Sequence, residues 1–170
     1  TAENKVAQTL AKTLRELGYA ALRPNFRGVG ASEGGHDEGE GETADMLAVL
    51  DWARSRYGEL PVALAGFSFG AYVTTRLAKR LAAAGDPAKW LVLVGTAAGF
   101  VEGMRRYETE TVPADTLVIH GSEDDTVRLA NVLTWALHLL GHHPAVQEQV
   151  REEVRSVLGG RPPTADDVPR

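Results

Sequence analysis

Ser68 stands in Gly66-Phe67-Ser68-Phe69-Gly70, a Gly-x-Ser-x-Gly pattern that directly follows an apolar run at 61–65 and directly precedes a helical stretch at 69–84. A serine on a sharp strand-to-helix turn projects its hydroxyl clear of the backbone. Glycines two places before and after it let strand and helix close without Cβ clashes. The chemistry such a serine serves is acyl transfer. Its oxygen attacks a carbonyl, a base takes its proton, and a third group orients the base. The competing reading is a plain strand-to-helix turn whose serine caps the helix.

Asp124 is the acid candidate, in Leu117-Val-Ile-His120-Gly-Ser-Glu-Asp124-Asp-Thr-Val127, a few residues past an apolar strand. Sites in open α/β sheets form at the carboxyl ends of strands, and the order Ser then Asp is that of the Ser…Asp…His triad. The competing reading is an acidic surface turn. The backbone N–H of Phe69, just after the serine, is the expected first oxyanion donor.

A base should follow in a loop after one more strand, and the sequence offers no such strand. His138, His142 and His143 fall in a helix and its break and read as surface or helix-end residues. His120 ends a strand and reads as a packed structural histidine. His36, in a flexible loop on the site's side of the sheet, is the remaining substitute. The second oxyanion donor normally comes from a loop after an earlier strand, before the first helix, where the sequence has none. Losing one donor typically costs about 10²–10³ in rate, and losing the base costs on the order of 10⁶ in one well-studied protease. Hydrolysis is therefore expected to be crippled.

Two further patterns fall short of a site. Gly28-Val-Gly30-Ala-Ser-Glu-Gly34 follows a strand candidate in the manner of a dinucleotide fingerprint, but its third glycine is one place late and no helix opens there. His36, Asp37, Glu38, Glu40 and Glu42 could ligate a hard cation, but charge runs are mostly solvated faces. No cofactor and no metal are expected.

The elements that must position these residues follow from periodicity. Val6, Leu10, Leu14 and Leu17 recur at helical spacing over 3–17, with Gly18 as the stop. Residues 19–26 read as a strand weakened at its end by Pro24. Residues 27–42 form a loop with six glycines. A helix over 43–57 has Thr43 as its cap, and strands fall at 60–65, 89–94 and 116–120, with 95–113 irregular. The strands are continuous apolar runs, as in a mostly parallel sheet covered on both faces. From about Arg128 the chain is helical to Leu158, broken at Gly141-His-His-Pro144, with Pro144 suited to a first helical turn. Val146, Val150, Val154 and Val157 stripe that last helix. Residues 161–170 read as an extended or frayed tail.

The 170 residues suggest one domain able to bury a core. With no cysteine, the sequence holds no disulfide, thiolate metal site, cysteine nucleophile or thiolate-bound haem, which fits a cytoplasmic location. A net charge of −5 argues against nucleic acid. The longest apolar stretch, 90–101, is too short to span a bilayer, and no signal pattern opens the chain. The expected partner is a small acyl substrate rather than nucleic acid or membrane, and the oligomeric state is not legible. The chain begins at Thr1 rather than Met, so a processed or truncated N-terminus is expected.

Residues 4–127 resemble a bacterial α/β-hydrolase of the dienelactone-hydrolase-like serine esterase type. The likeness rests on Asn4-Lys-Val, Asn25-Phe-Arg-Gly-Val-Gly30-Ala-Ser-Glu-Gly34, Gly66-Phe-Ser68-Phe-Gly70 and Val118-Ile-His-Gly121-x-x-Asp124-x-x-Val127. It implies Ser68 as nucleophile and Asp124 as triad acid, on an incomplete three-layer fold. In that family a further strand lies between those read at 19–26 and 60–65, so the sheet is expected to have a gap, and its last strand and histidine loop are missing. Residues 131–170 are similar instead to the middle helices of a haem-thiolate monooxygenase of the cytochrome P450 type, through Asn131-Val-Leu-Thr-Trp-Ala-Leu-His-Leu-Leu-Gly-His-His-Pro144 and Leu158-Gly-Gly-Arg-Pro-Pro-Thr-Ala-Asp-Asp167. Its Glu-x-x-Arg motif and ligating cysteine are absent.

The expected organisation is a truncated hydrolase core over 1–127 and helices with a tail over 128–170 that are not an independent domain. The two likenesses meet near 128–135, as in a chimera. The leading expectation is a serine hydrolase of acyl esters or thioesters. The alternatives are a non-catalytic α/β module that binds a partner through its last helix, and a haem monooxygenase fragment that lacks its cysteine.

Overall fold

The computed structural model describes residues 2–101, 105–162 and 164. The chain divides into two compact units, Thr1–Trp135 and Ala136–Arg170.

The first unit opens with α1, Lys5–Glu16. Asn4 caps it, its side chain accepting from the amides of Val6 at 2.9 Å and Ala7 at 3.3 Å. The strand expected over 19–26 does not form, and the segment joins no sheet. A strand is stable only against a neighbour that takes its backbone bonds. The described residues provide no strand next to 19–26, which is the gap the family pattern implies.

Helix α2, Glu40–Tyr57, begins three residues earlier than expected. Thr43 is not its cap. The Glu42 carboxylate reaches back to the Gly39 amide at 2.9 Å, while Thr43 Oγ1 donates to the Gly39 carbonyl. A glutamate three places into a helix that accepts from the residue before it starts the helix there.

A three-stranded parallel sheet follows, in the order β1-β2-β5, from β1 (Ala63–Phe67), β2 (Trp90–Val94) and β5 (Leu117–Ile119). Helix α3, Phe69–Ala83, packs on β1 and β2, and α2 packs on α3. The register pairs Leu64 with Leu91 and Gly66 with Leu93, so these share one face. Leu91 and Leu93 are buried there under α3. The opposite face is only partly covered, and β5 leaves Leu117, Val118 and Ile119 all exposed.

Residues 95–113, expected to be irregular, contain a two-stranded antiparallel ribbon of β3 (Gly99–Val101) and β4 (Arg105–Tyr107). Its anchor is tertiary rather than local. Tyr107 lies edge-on to Tyr72 of α3 at 5.1 Å, in a cluster with Val73, Ala97, Phe26, Met46 and Phe69.

Helix α4, Leu129–Gly141, crosses the boundary between the units. In the second unit α5, Pro144–Leu158, starts with its proline in the first turn and ends on Gly159 at φ 56°. Gln147 Nε2 donates to the Leu140 carbonyl at 2.9 Å, closing the turn between them. Glu148 is held below the usual carboxylate range by the hydrogen bond from Arg151 and by the nearby charge of Arg155. Thr1 and most of the 161–170 tail lie outside the described residues. No described helix is long and apolar enough to cross a membrane.

Candidate active site

Strand β1 ends at Phe67 and α3 starts at Phe69, so Ser68 alone turns the chain. Its φ of 53° and ψ of −122° are outside the regions L-residues favour. Such strain costs about 1–3 kcal/mol and persists only where the surroundings over-determine it. Here they do. The Ser68 amide donates to Val94 at 2.9 Å, and its carbonyl accepts from Ala71 at 3.0 Å, Tyr72 at 3.3 Å and Ala97 at 3.4 Å. The Ser68 side chain makes no capping hydrogen bond, so the plain-cap reading does not describe this turn. The Phe69 amide, in the first turn of α3, precedes any intrahelical acceptor.

The two glycines of the motif do different work. A Cβ on Gly66 would sit 2.5 Å from the Gly70 carbonyl oxygen and 2.6 Å from both the Ala71 Cα and Thr74 Oγ1. Only glycine lets β1 approach α3 this closely. A Cβ on Gly70 would meet the Phe26 ring at 3.7 Å, an ordinary contact.

The register places Phe67 beside Val94 and Val94 beside Ile119. The next residues, Ser68, Gly95 and His120, therefore stand level at the carboxyl edge of the sheet, at strand spacings of about 4.8 Å. Asp124 folds back over this edge. Its Oδ1 accepts from the amides of Thr126 at 2.9 Å and Val127 at 2.8 Å. Its Oδ2 would lie 3.7 Å from a Cβ on Gly95, so the carboxylate reaches the end of the middle strand. Oδ2 is 4.0 Å from His120 Nε2, beyond a hydrogen bond. His120 is the packed histidine its position suggests. Its side chain is 4% exposed, its Nε2 donates to the Val127 carbonyl at 2.8 Å, and its Nδ1 is buried without a partner among the described residues. It is not free to serve Ser68.

On the other flank of β1 the loop 27–39 wraps toward Phe69. Gly28, Gly30 and Gly34 all have positive φ, and the Gly28 amide donates to Glu33 at 3.0 Å. The loop closes on itself, and no helix opens before Glu40. Arg27 forks onto Asp45 with two bonds of 2.8 Å. That hydrogen bond holds Asp45 below its ordinary range and raises Arg27.

Glu42 departs from the solvated acidic face expected of its neighbourhood, since it is fully buried. It accepts from the amides of Asp37 and Gly39 at 2.9 Å each, and its Oε1 lies 3.0 Å from His36 Nδ1. Burial works to raise its pKa, but the backbone donors and His36 outweigh it, and the carboxyl is held below its usual range. The His36 ring rests edge-on against the Phe69 ring at 4.9 Å. Phe69 also touches Phe26 at 5.5 Å, so its side chain organises this flank while its amide lies in the first turn of α3. Sequence reasoning missed that ring and the burial of Glu42. The Gly39-x-x-Glu42 spacing of a helix start was the available signal for Glu42. No cluster of potential metal ligands occurs among the described residues. His138, His142 and His143 belong to the second unit, where His142 Nδ1 donates to the His138 carbonyl at 2.8 Å.

Residues 3–111 match the family model of the alpha/beta hydrolase fold, and residues 116–170 match that of cytochrome P450. An uncharacterized protein of Rickettsia prowazekii is 45% identical over 45% of this chain and 33% of its own. The lysophosphatidylserine lipase ABHD12 of Gallus gallus is 40% identical over 49% of this chain and 22% of its own. An a/b serine hydrolase without lid from Xanthomonas campestris superposes with a TM-score of 0.68 at 38% identity, covering 79% of this chain and 58% of that one. The chain thus spans a third or less of these curated relatives.

Proposed function

The chain belongs to the alpha/beta hydrolase fold family, and from that premise we propose that it is a serine hydrolase of acyl esters or thioesters. One observation carries the reading: Ser68 is held at φ 53° between strand and helix with its side chain unused by the helix. In this reading Ser68 Oγ attacks the acyl carbonyl, and the Phe69 N–H receives the developing oxyanion. Asp124 occupies the acid's place, with Oδ2 left for an imidazole. The similarity to a lysophosphatidylserine lipase favours a lipid-like acyl ester over a peptide. No imidazole meets Asp124 within hydrogen-bond distance among the described residues, so the chain alone is expected to turn over slowly. We place the division of the chain near residue 127 and the protein in the cytoplasm.

Mass spectrometry after treatment with a fluorophosphonate, on the wild type and Ser68→Ala, tests this. Labelling at Ser68 alone supports the reading. A folded protein that takes no label overturns it and favours the non-catalytic module, for which Val150, Val154 and Val157 form an exposed stripe on α5.

The chimeric origin is part of the same proposal, supported by two family models that meet without overlap. The segment like cytochrome P450 has no thiolate in the sequence to bind haem, so the residues do not fit that cofactor and no haem chemistry is assigned.

A further inference from the structure

On the reading of Ser68 as nucleophile, we infer that His36, held by Glu42, is the group that takes the Ser68 proton in this chain. An acyl-transfer serine needs an imidazole with one nitrogen fixed by a carboxylate and the other open. Of the two histidines in the first unit, His120 is sealed, with Nε2 committed to Val127. His36 meets the requirement. Its Nδ1 is fixed at 3.0 Å on a carboxylate whose own exposure is 1%, while the imidazole is 41% exposed. A neutral imidazole that keeps its proton on Nδ1, facing this carboxylate, carries its lone pair on Nε2. No hydrogen bond joins Nε2 to another described residue. The ring rests on Phe69, the residue bonded to Ser68.

Glu42 is a firm anchor for a base. It is tied to the amides of Asp37 and Gly39 and stays ionised. Other charged or titratable groups surround this flank, with Tyr107 packed against Phe69 and Arg76 over the Tyr72 ring and paired with Glu40. Arg27 is paired with Asp45 and lies 3.8 Å from Asp37. Tyr72, on α3, is kept protonated by burial and by the acidic groups around it, Glu38 among them.

No direct hydrogen bond joins Ser68 to His36 among the described residues, so this role requires the proton to pass by way of a water, an accepted route for a general base. As Oγ bonds to the acyl carbon, the carbonyl π pair moves onto oxygen at the Phe69 amide, and the Oγ proton reaches Nε2 by way of that water. When the tetrahedral adduct collapses, the C–O bond to the alcohol breaks, and the imidazolium returns the proton to the leaving alkoxide. Atoms and charge balance without another reactant. The base thus approaches from the loop over 27–39 rather than from the Asp124 side.

The test is the rate of fluorophosphonate labelling at Ser68 between pH 5 and pH 9, roughly the range that brackets histidine titration, for wild type, His36→Gln, His36→Ala and Glu42→Gln. The expected result is a wild-type rate that rises with pH through the histidine range and a His36→Gln rate lower by about 10² or more with that rise abolished. Free imidazole should restore part of the His36→Ala rate. Glu42→Gln should slow labelling without responding to imidazole, because the ring is still present. A wild type that labels at Ser68 while His36→Gln labels at the same rate and with the same pH profile overturns this inference and leaves the hydrolase reading standing. A folded wild type that takes no label overturns both.

Discussion

Two acid–histidine pairs flank Ser68, and they are built in opposite ways. On one side Glu42 is buried, its carboxylate gripped by two backbone amides, and its histidine is half in solvent with one nitrogen open. On the other side the acid is partly exposed and the histidine is buried, 4.0 Å away and bonded elsewhere. A carboxylate near an imidazole is therefore not a functional unit in itself. A base needs a fixed acid and a free ring, and only the Glu42–His36 pair has that polarity. In the Asp124–His120 pair the acid is also held by two backbone amides, but the ring is sealed, which suits a turn that closes a sheet edge.

The largest expected effect strikes the elbow on which both pairs depend. Gly66→Ala drives a Cβ into the Gly70 carbonyl and Ala71 Cα on the far side of a close strand–helix contact. Overpacking of this kind typically costs about 1–3 kcal/mol, and because backbone atoms cannot rotate away the upper end is expected in urea denaturation. Gly70→Ala, in ordinary contact with Phe26, should cost far less, which would show that the two motif glycines are not equivalent. Next comes Glu42→Ala, which strips acceptors from the Asp37 and Gly39 amides. With unsatisfied buried donors costing about 1–3 kcal/mol, a loss of about 2 kcal/mol is expected. A loss no greater than that of Asp124→Ala would break the comparison.

The pH dependence follows from the same burial. The folded-state pKa of Glu42 lies below its ordinary value, so its ionised form stabilises the fold at pH above the unfolded value, near 4.3. That contribution is lost as pH falls through the lower folded value. The stability gap between wild type and Glu42→Gln should therefore be full at pH 6 and shrink on acidification below about pH 4. A gap independent of pH would mean that Glu42 acts only by shape. Asp124→Ala should cost about 1 kcal/mol, since it removes a partly exposed acceptor from the Thr126 and Val127 amides. Smallest of all, Asp124→Asn keeps that acceptor and is expected to change stability in urea by no more than about 0.5 kcal/mol. A drop in Ser68 labelling by Asp124→Asn on the scale expected for His36→Gln would move the base to the Asp124 side.

Much of the fold was legible because its signals are local. The apolar runs that become β1, β2 and β5, the helix after Ser68, the break before Pro144 and the fixed spacing of the glycine–serine motif each depend on a few consecutive residues. The gap in the sheet was legible too, because a strand missing from a known order leaves its neighbour unpaired. The strand at 19–26 was misread for the same reason. Its pattern suits a strand, but pairing is a property of two segments. The ribbon of β3 and β4 escaped because Tyr107 is held by Tyr72, more than thirty positions away in the chain.

Residue types and their spacing alone require a serine to turn from strand to helix between glycines and an acid to follow the last strand of the sheet, and they leave no cysteine chemistry available. These are matters of residue identity and short-range steric preference. The packing of distant segments is what buries Glu42, seals His120 and lays His36 on Phe69. Burial and hydrogen-bond partnership depend on segments that approach through space, and the reactivity of a carboxylate or an imidazole is set by that surrounding rather than by its place in the chain.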